Sequence, residues 1–187
     1  MRTSIVSALI LAGVVSAQTP AGFVPAVTEK LEVTFGSKNV ETGGQPLTKT
    51  DTARQPTIGL SGPANGTYIW MLIDLDAYEP RVNEFREPQG WNASDVSPHR
   101  APGLQGQRGS FSRRRPVSWF APAPAAETPP HPHRYTNLLW EQPSNWQIPS
   151  AANTMLQNQK LGFDVTKFIT AAGLSNPIAA NYFNETG

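Results

Sequence analysis

Two short clusters hold the groups best placed to do chemistry. Asp74-Leu75-Asp76 sets two carboxylates at the end of an apolar run, and His131-Pro132-His133-Arg134-Tyr135 sets two imidazoles, a guanidinium and a phenol at the start of another. Strand side chains alternate faces, so Asp74 and Asp76 are expected on one face, and His133 and Tyr135 together with Arg134 turned away. Neighbouring carboxylates raise one another's pKa, hold a histidine in one tautomer, or bind a hard cation. Alternatively they cap the strand by accepting from turn amides and Arg81. The plain alternative for His133 is a satisfied histidine at the edge of a buried strand. A metal centre is not expected, because zinc takes three or four nitrogen or sulfur ligands and only His99 is left to join His131 and His133. Cysteine is absent, and neither a nucleophile elbow nor a phosphate-cradling glycine loop occurs, so no covalent nucleophile is indicated. No cofactor is expected.

The elements that must position these residues follow from periodicity. Leu31, Val33 and Phe35 alternate with polar neighbours as a half-buried strand, and Pro56 to Leu60 reads as a second. Thr67 to Leu75 is almost continuously apolar, as in a central strand covered on both faces. Arg134 to Glu141 is its match. Ser150 to Gln159 reads as a short helix and Asp164 to Ala172 as a better one, with Asp164 as cap, a Val165/Phe168/Ile169/Ala172 stripe, and Gly173 as the stop. Pro177 to Phe183 leads to a final strand or extended tail. Residues 81 to 130 are rich in Pro, Arg, Ser, Gly and Ala and show no sustained period, so they read as an irregular insert. Strands first and helices last give a mainly β fold, an antiparallel sheet with short C-terminal helices.

The whole chain bounds its class. Met1 to Ala17 combines a basic start, a short apolar core and small residues, the pattern of a secretory signal peptide, so residues 18–187 are expected to form one secreted domain with no transmembrane segment. Formal charge is +1 over 187 residues and falls to zero if Arg2 leaves with the leader, which argues against a nucleic-acid partner. Arg81, Arg86, Arg100, Arg108 and Arg113 to Arg115 nevertheless crowd one region. The Arg113-Arg114-Arg115 run reads as a solvated basic loop, an acid-binding patch or a cleavage site. Asn65, Asn92 and Asn184 open Asn-x-Ser/Thr sequons, candidate glycosylation sites in a secreted chain.

These blocks resemble the phosphatidylethanolamine-binding protein family. Tyr68 to Ala77 is similar to that family's apolar strand ending Asp-Pro-Asp-x-Pro, and His133-Arg134-Tyr135 through Trp140-Glu141-Gln142-Pro143 is similar to its His-Arg-Tyr strand. Phe163-Asp164, Gly173-Leu174 and Pro177 to Phe183 resemble its closing helix and tail. Leu75 and Tyr78 stand where the family block has prolines. The family's second pocket histidine has no counterpart between Arg81 and Ser97, and Phe120-Ala121-Pro122 lacks the glycine of the family's aromatic-x-Gly-Pro stretch. The resemblance implies a small anion-binding pocket with Asp74, Asp76, His133 and Tyr135 as ligand-binding residues. A protonated or donor-oriented His133 and the Tyr135 hydroxyl suit an anion, with a carboxylate behind the imidazole fixing its tautomer.

Three functions follow from the resemblance. The first is a secreted module that binds a small anion, a phosphate, carboxylate or lipid headgroup, or that inhibits a partner such as a protease. A second, by analogy with fungal family members, is an accessory protein or cyclase of secondary metabolism that assists dimerisation of maleic-anhydride-type monomers beside a biosynthetic partner protein; there an anion pocket would stabilise developing enolate charge. The third is a structural secreted protein with a degenerate pocket.

Overall fold

The computed structural model describes residues 17–62, 66–77, 81–86, 119–158 and 162–187. Its elements run β1 (Leu31–Phe35), β2 (Lys38–Asn39), β3 (Gln45–Pro46), β4 (Thr57–Leu60), β5 (Tyr68–Asp74), β6 (Arg81–Arg86), β7 (Pro132–Glu141), α1 (Ser150–Asn158), α2 (Val165–Ala172) and β8 (Ala179–Thr186). A five-stranded sheet has the order β3-β8-β7-β5-β6, and a three-stranded sheet the order β2-β1-β4. The mainly β, mostly antiparallel class is the one the periodicity indicated.

Alternation along β5 and β7 splits the core in two. Ile69, Met71, Ile73, Leu138 and Trp140 face α1 and α2, while Trp70, Leu72, Tyr135, Leu139 and Phe183 face Leu31, Val33, Phe35 and Ile58 of the small sheet. Every residue of β5 is buried, so its uniform apolar run reflects cover on both sides. Asn181 bridges the sheets, its Nδ2 donating to the carbonyls of Leu31 and Val40 at 2.9 Å each. Helix α2 has the caps its sequence indicates: the Asp164 side chain accepts from the Lys167 amide, and Gly173 is left-handed with φ of 64°.

One expectation is corrected. Residues 81–86 are not irregular, since β6 pairs antiparallel with β5. A register shift between Leu72 and Ile73 places Val82 opposite Ile73 and Phe85 opposite Met71. This bulge absorbs one residue, so a sequence spacing of three hides a strand period of two. Of the two readings of the closing segment the strand holds: β8 lies between β3 and β7, antiparallel to β7 and parallel to β3. The chain therefore returns to the sheet after its helices, and those helices cover one of its faces.

Candidate functional site

The odd-numbered residues of β7 project toward the small sheet, which carries His133 and Tyr135 to one end of that face. β5 lies alongside in antiparallel register, Asp74 opposite Tyr135. Asp74 Oδ2 lies 3.0 Å from His133 Nδ1, while Oδ1 accepts from the amides of Asp76 and Ala77 at 3.0 and 3.1 Å. An acceptor-only carboxylate fixes the proton on Nδ1 and leaves Nε2 to face any ligand. His133 is 5% exposed, and its Nε2 has no hydrogen-bond partner among the described residues. Glu127 Oε1 lies 3.6 Å from that atom, beyond hydrogen-bond reach but close enough to pair with an imidazolium.

Tyr135 sits behind the histidine, its ring stacked between those of His133 and Phe183. Burial, above all, pushes its phenol well above the usual tyrosine range, reinforced by the charge of Asp74 and a hydrogen bond to it. Its hydroxyl therefore stays protonated, donates to Asp74, and positions the carboxylate that orients His133.

Asp74 and Asp76 do not share a face. β5 ends at Asp74, whose side chain accepts the next turn's amides, so strand alternation stops there. Asp76 instead takes the Arg134 guanidinium as a fork, Oδ2 to Nε and Oδ1 to Nη2 at 2.7 Å each, and accepts the Arg134 amide at 2.8 Å. Burial raises the Asp76 pKa, but the Arg134 side-chain and backbone hydrogen bonds outweigh it and hold the carboxyl below its ordinary value. Leu75, at the position of a family proline, donates its amide to the Arg134 carbonyl at 3.0 Å, a bond proline cannot make. The two acids thus pin consecutive residues of β7, Asp74 the histidine and Asp76 the arginine.

Two further acids reach the cluster. Glu127 comes from the extended stretch after Trp119, which contains the Phe120-Ala121-Pro122 block, and the Ala123 backbone hydrogen-bonds to Tyr135. Glu185 stands directly opposite His133 in the β7–β8 ladder. The period of two through Asn181 and Phe183 extends to Glu185, and that was the signal available for it; the aperiodic stretch around Glu127 offered none.

Thr52 donates to Glu185 and rides on a turn stapled by Asp51. Asp51 Oδ2 accepts from the Thr48 amide and hydroxyl at 2.9 and 2.8 Å and from Lys38 Nζ at 3.0 Å. Chiefly through the Thr48 amide bond, these lower the Asp51 pKa from 3.8 to about 2. A folded pKa below the unfolded one gives stability that is complete above about pH 4 and is lost as pH falls toward 2. Urea denaturation is expected to show wild type losing about 1 kcal/mol more than Asp51→Asn across that window, after allowance for solvent screening.

Of the sequons, Asn184 is half-buried within β8, in register with Pro46 on one side and Arg134 on the other. Asn65, Asn92, residues 1–16 of the leader, His99 and Arg113 to Arg115 lie outside the described residues. Among the described residues no group of three or more His, Cys, Asp or Glu side chains is arranged to hold a metal ion, and no helix is long and apolar enough to cross a membrane.

The chain is similar to known proteins in sequence and in fold. Phomoidride biosynthesis cluster protein N of Talaromyces stipitatus is 29% identical, with 96% of each chain covered. A 26 kDa secreted antigen of Toxocara canis is 27% identical over 88% of this chain and 61% of its own. Among solved structures, a carboxypeptidase Y inhibitor in complex with its cognate proteinase superposes at a TM-score of 0.57 and 16% identity, covering 86% of this chain and 84% of its own. The family model described as phosphatidylethanolamine-binding protein matches residues 26–183. That span contains β1 to β7, both helices and the Asp74–His133 pair, and by it the chain belongs to the phosphatidylethanolamine-binding protein family.

Proposed function

We propose that the protein binds a small oxyanion, a phosphate or carboxylate group, at His133 Nε2. The observation that carries this is a buried imidazole locked by Asp74 at Nδ1 and without a hydrogen-bond partner at Nε2 among the described residues. Once protonated it is a charge-assisted donor, with Asp74 stabilising the imidazolium from behind. Asp74 and Tyr135 orient the histidine, and Asp76 holds the adjoining backbone through Arg134. Glu127 faces Nε2 as an internal carboxylate that the ligand must displace. Removing its charge therefore favours binding. Glu127→Gln is expected to raise affinity for inorganic phosphate about fivefold, near 1 kcal/mol, in calorimetric titration. An affinity unchanged or lowered contradicts this placement of the anion.

A biosynthetic role is favoured by one observation, the alignment of a biosynthesis cluster protein along 96% of this chain. In that setting the same donor would hold a carboxylate-bearing intermediate for a partner enzyme. Secretion is supported by the leader pattern of residues 1–17 and by the relative described as a secreted antigen.

A further inference from the structure

Beside His133 lies a buried acid for which the anion site as described has no use. Glu185 is directly opposite His133 in an antiparallel pair, so both side chains project from the same side of the sheet. It is 1% exposed. Its Oε2 accepts from the Thr52 hydroxyl at 2.6 Å, while Oε1 has no hydrogen-bond partner among the described residues. Nor does any described cation form an ion pair with it.

An ionised carboxylate in that setting carries a heavy desolvation cost with nothing to offset it at Oε1. The neutral acid avoids most of that cost, and its Oε1 then bears a proton and becomes a donor. The charged surroundings agree in direction. Burial raises the Glu185 pKa most, with the Thr52 bond and Lys49 opposing and the negative charges of Asp51 and Asp74 reinforcing.

We propose that Glu185 is a second ligand-binding residue of the pocket, offering a carboxyl O–H beside His133 Nε2 so that both donors grip one carboxylate or phosphate group. This rests on the oxyanion site at His133. Cβ atoms of opposed residues lie about 5 Å apart, a separation from which two side chains can converge on two oxygens of one ligand group. A single imidazole N–H would leave the second oxygen unsatisfied in a buried setting. The ligand selected is thus one that accepts twice.

The test titrates the full chain with inorganic phosphate and, in a separate arm, with maleate, comparing wild type, Glu185→Leu and Glu185→Gln. Leucine removes the donor and is expected to weaken binding about tenfold. Glutamine keeps a neutral donor and is expected to stay within about threefold of wild type. Wild-type affinity in the leucine variant, or equal weakening in both variants, overturns the role of Glu185 and leaves the site at His133 standing. Absence of binding by wild type in both arms overturns the site and this proposal together. Binding in one arm alone identifies a phosphate or a carboxylate as the ligand and supports the proposal if the variants rank as stated. A second readout spares the inference from a misfolded variant. The infrared C=O band of the neutral carboxyl, present in wild type and absent in Glu185→Gln, is expected to shift when the anion binds, and an unmoved band overturns the proposal.

Discussion

Replacing His133 by alanine is expected to lower affinity for inorganic phosphate by at least about 30-fold in calorimetric titration. Two losses combine. The charge-assisted donor at Nε2 disappears, and the Asp74 carboxylate loses the imidazole that stood 3.0 Å away and now opposes an incoming anion directly. The backbone in this region is held by other bonds, the Asp74 side chain to the Asp76 and Ala77 amides and the Asp76 fork on Arg134. The variant is therefore expected to fold and to melt cooperatively. A cooperative melt with unchanged affinity would place the anion elsewhere.

The largest effect on stability is expected at Trp140, on the opposite face of the same strand. Its side chain is fully buried, edge-on to Phe168 of α2, which in turn meets Phe163. Trp140→Ala removes the largest of the sheet side chains packed against the helices, at about 4 kcal/mol, a large part of the total stability of one domain. For a chain of this size that corresponds to a fall of about 8–16 °C in the melting midpoint. Because Trp140 faces the helices and His133 faces the small sheet, the folded fraction should bind phosphate with its wild-type affinity. A comparable loss in both properties would show that the two faces of β7 are not independent.

The sequence and the structure part where geometry ceases to be local. The alternation of Leu31, Val33 and Phe35, the apolar run of β5, the strand after His133, and the Asp164 and Gly173 caps are local signals, and each element forms where its signal lies. β6 escaped because a bulge is a property of two strands, visible only once Ile73 and Val82 are in register. β2 and β3 are two residues each, too short for any period to register. In the site, the residue types at Asp74, Asp76, His133 and Tyr135 were legible, but their allotment was not. The turn after Asp74 sends Asp76 to Arg134, and the stacking of Tyr135 commits its hydroxyl to Asp74 rather than to open space. Glu127 approaches His133 from 6 residues before it, and Glu185 stands opposite it across the β7–β8 ladder. Only the second had a pattern to follow.

An oxyanion at His133 Nε2 is tested directly by a nitrogen NMR titration of the uniformly labelled full chain with phosphate and with maleate. A saturable shift of the His133 Nε2 resonance is expected, with Nδ1 held by Asp74; His131, whose ring lies 6.3 Å from that of His133, is expected to shift less. A His133 ring that does not move at millimolar ligand would contradict an oxyanion at Nε2.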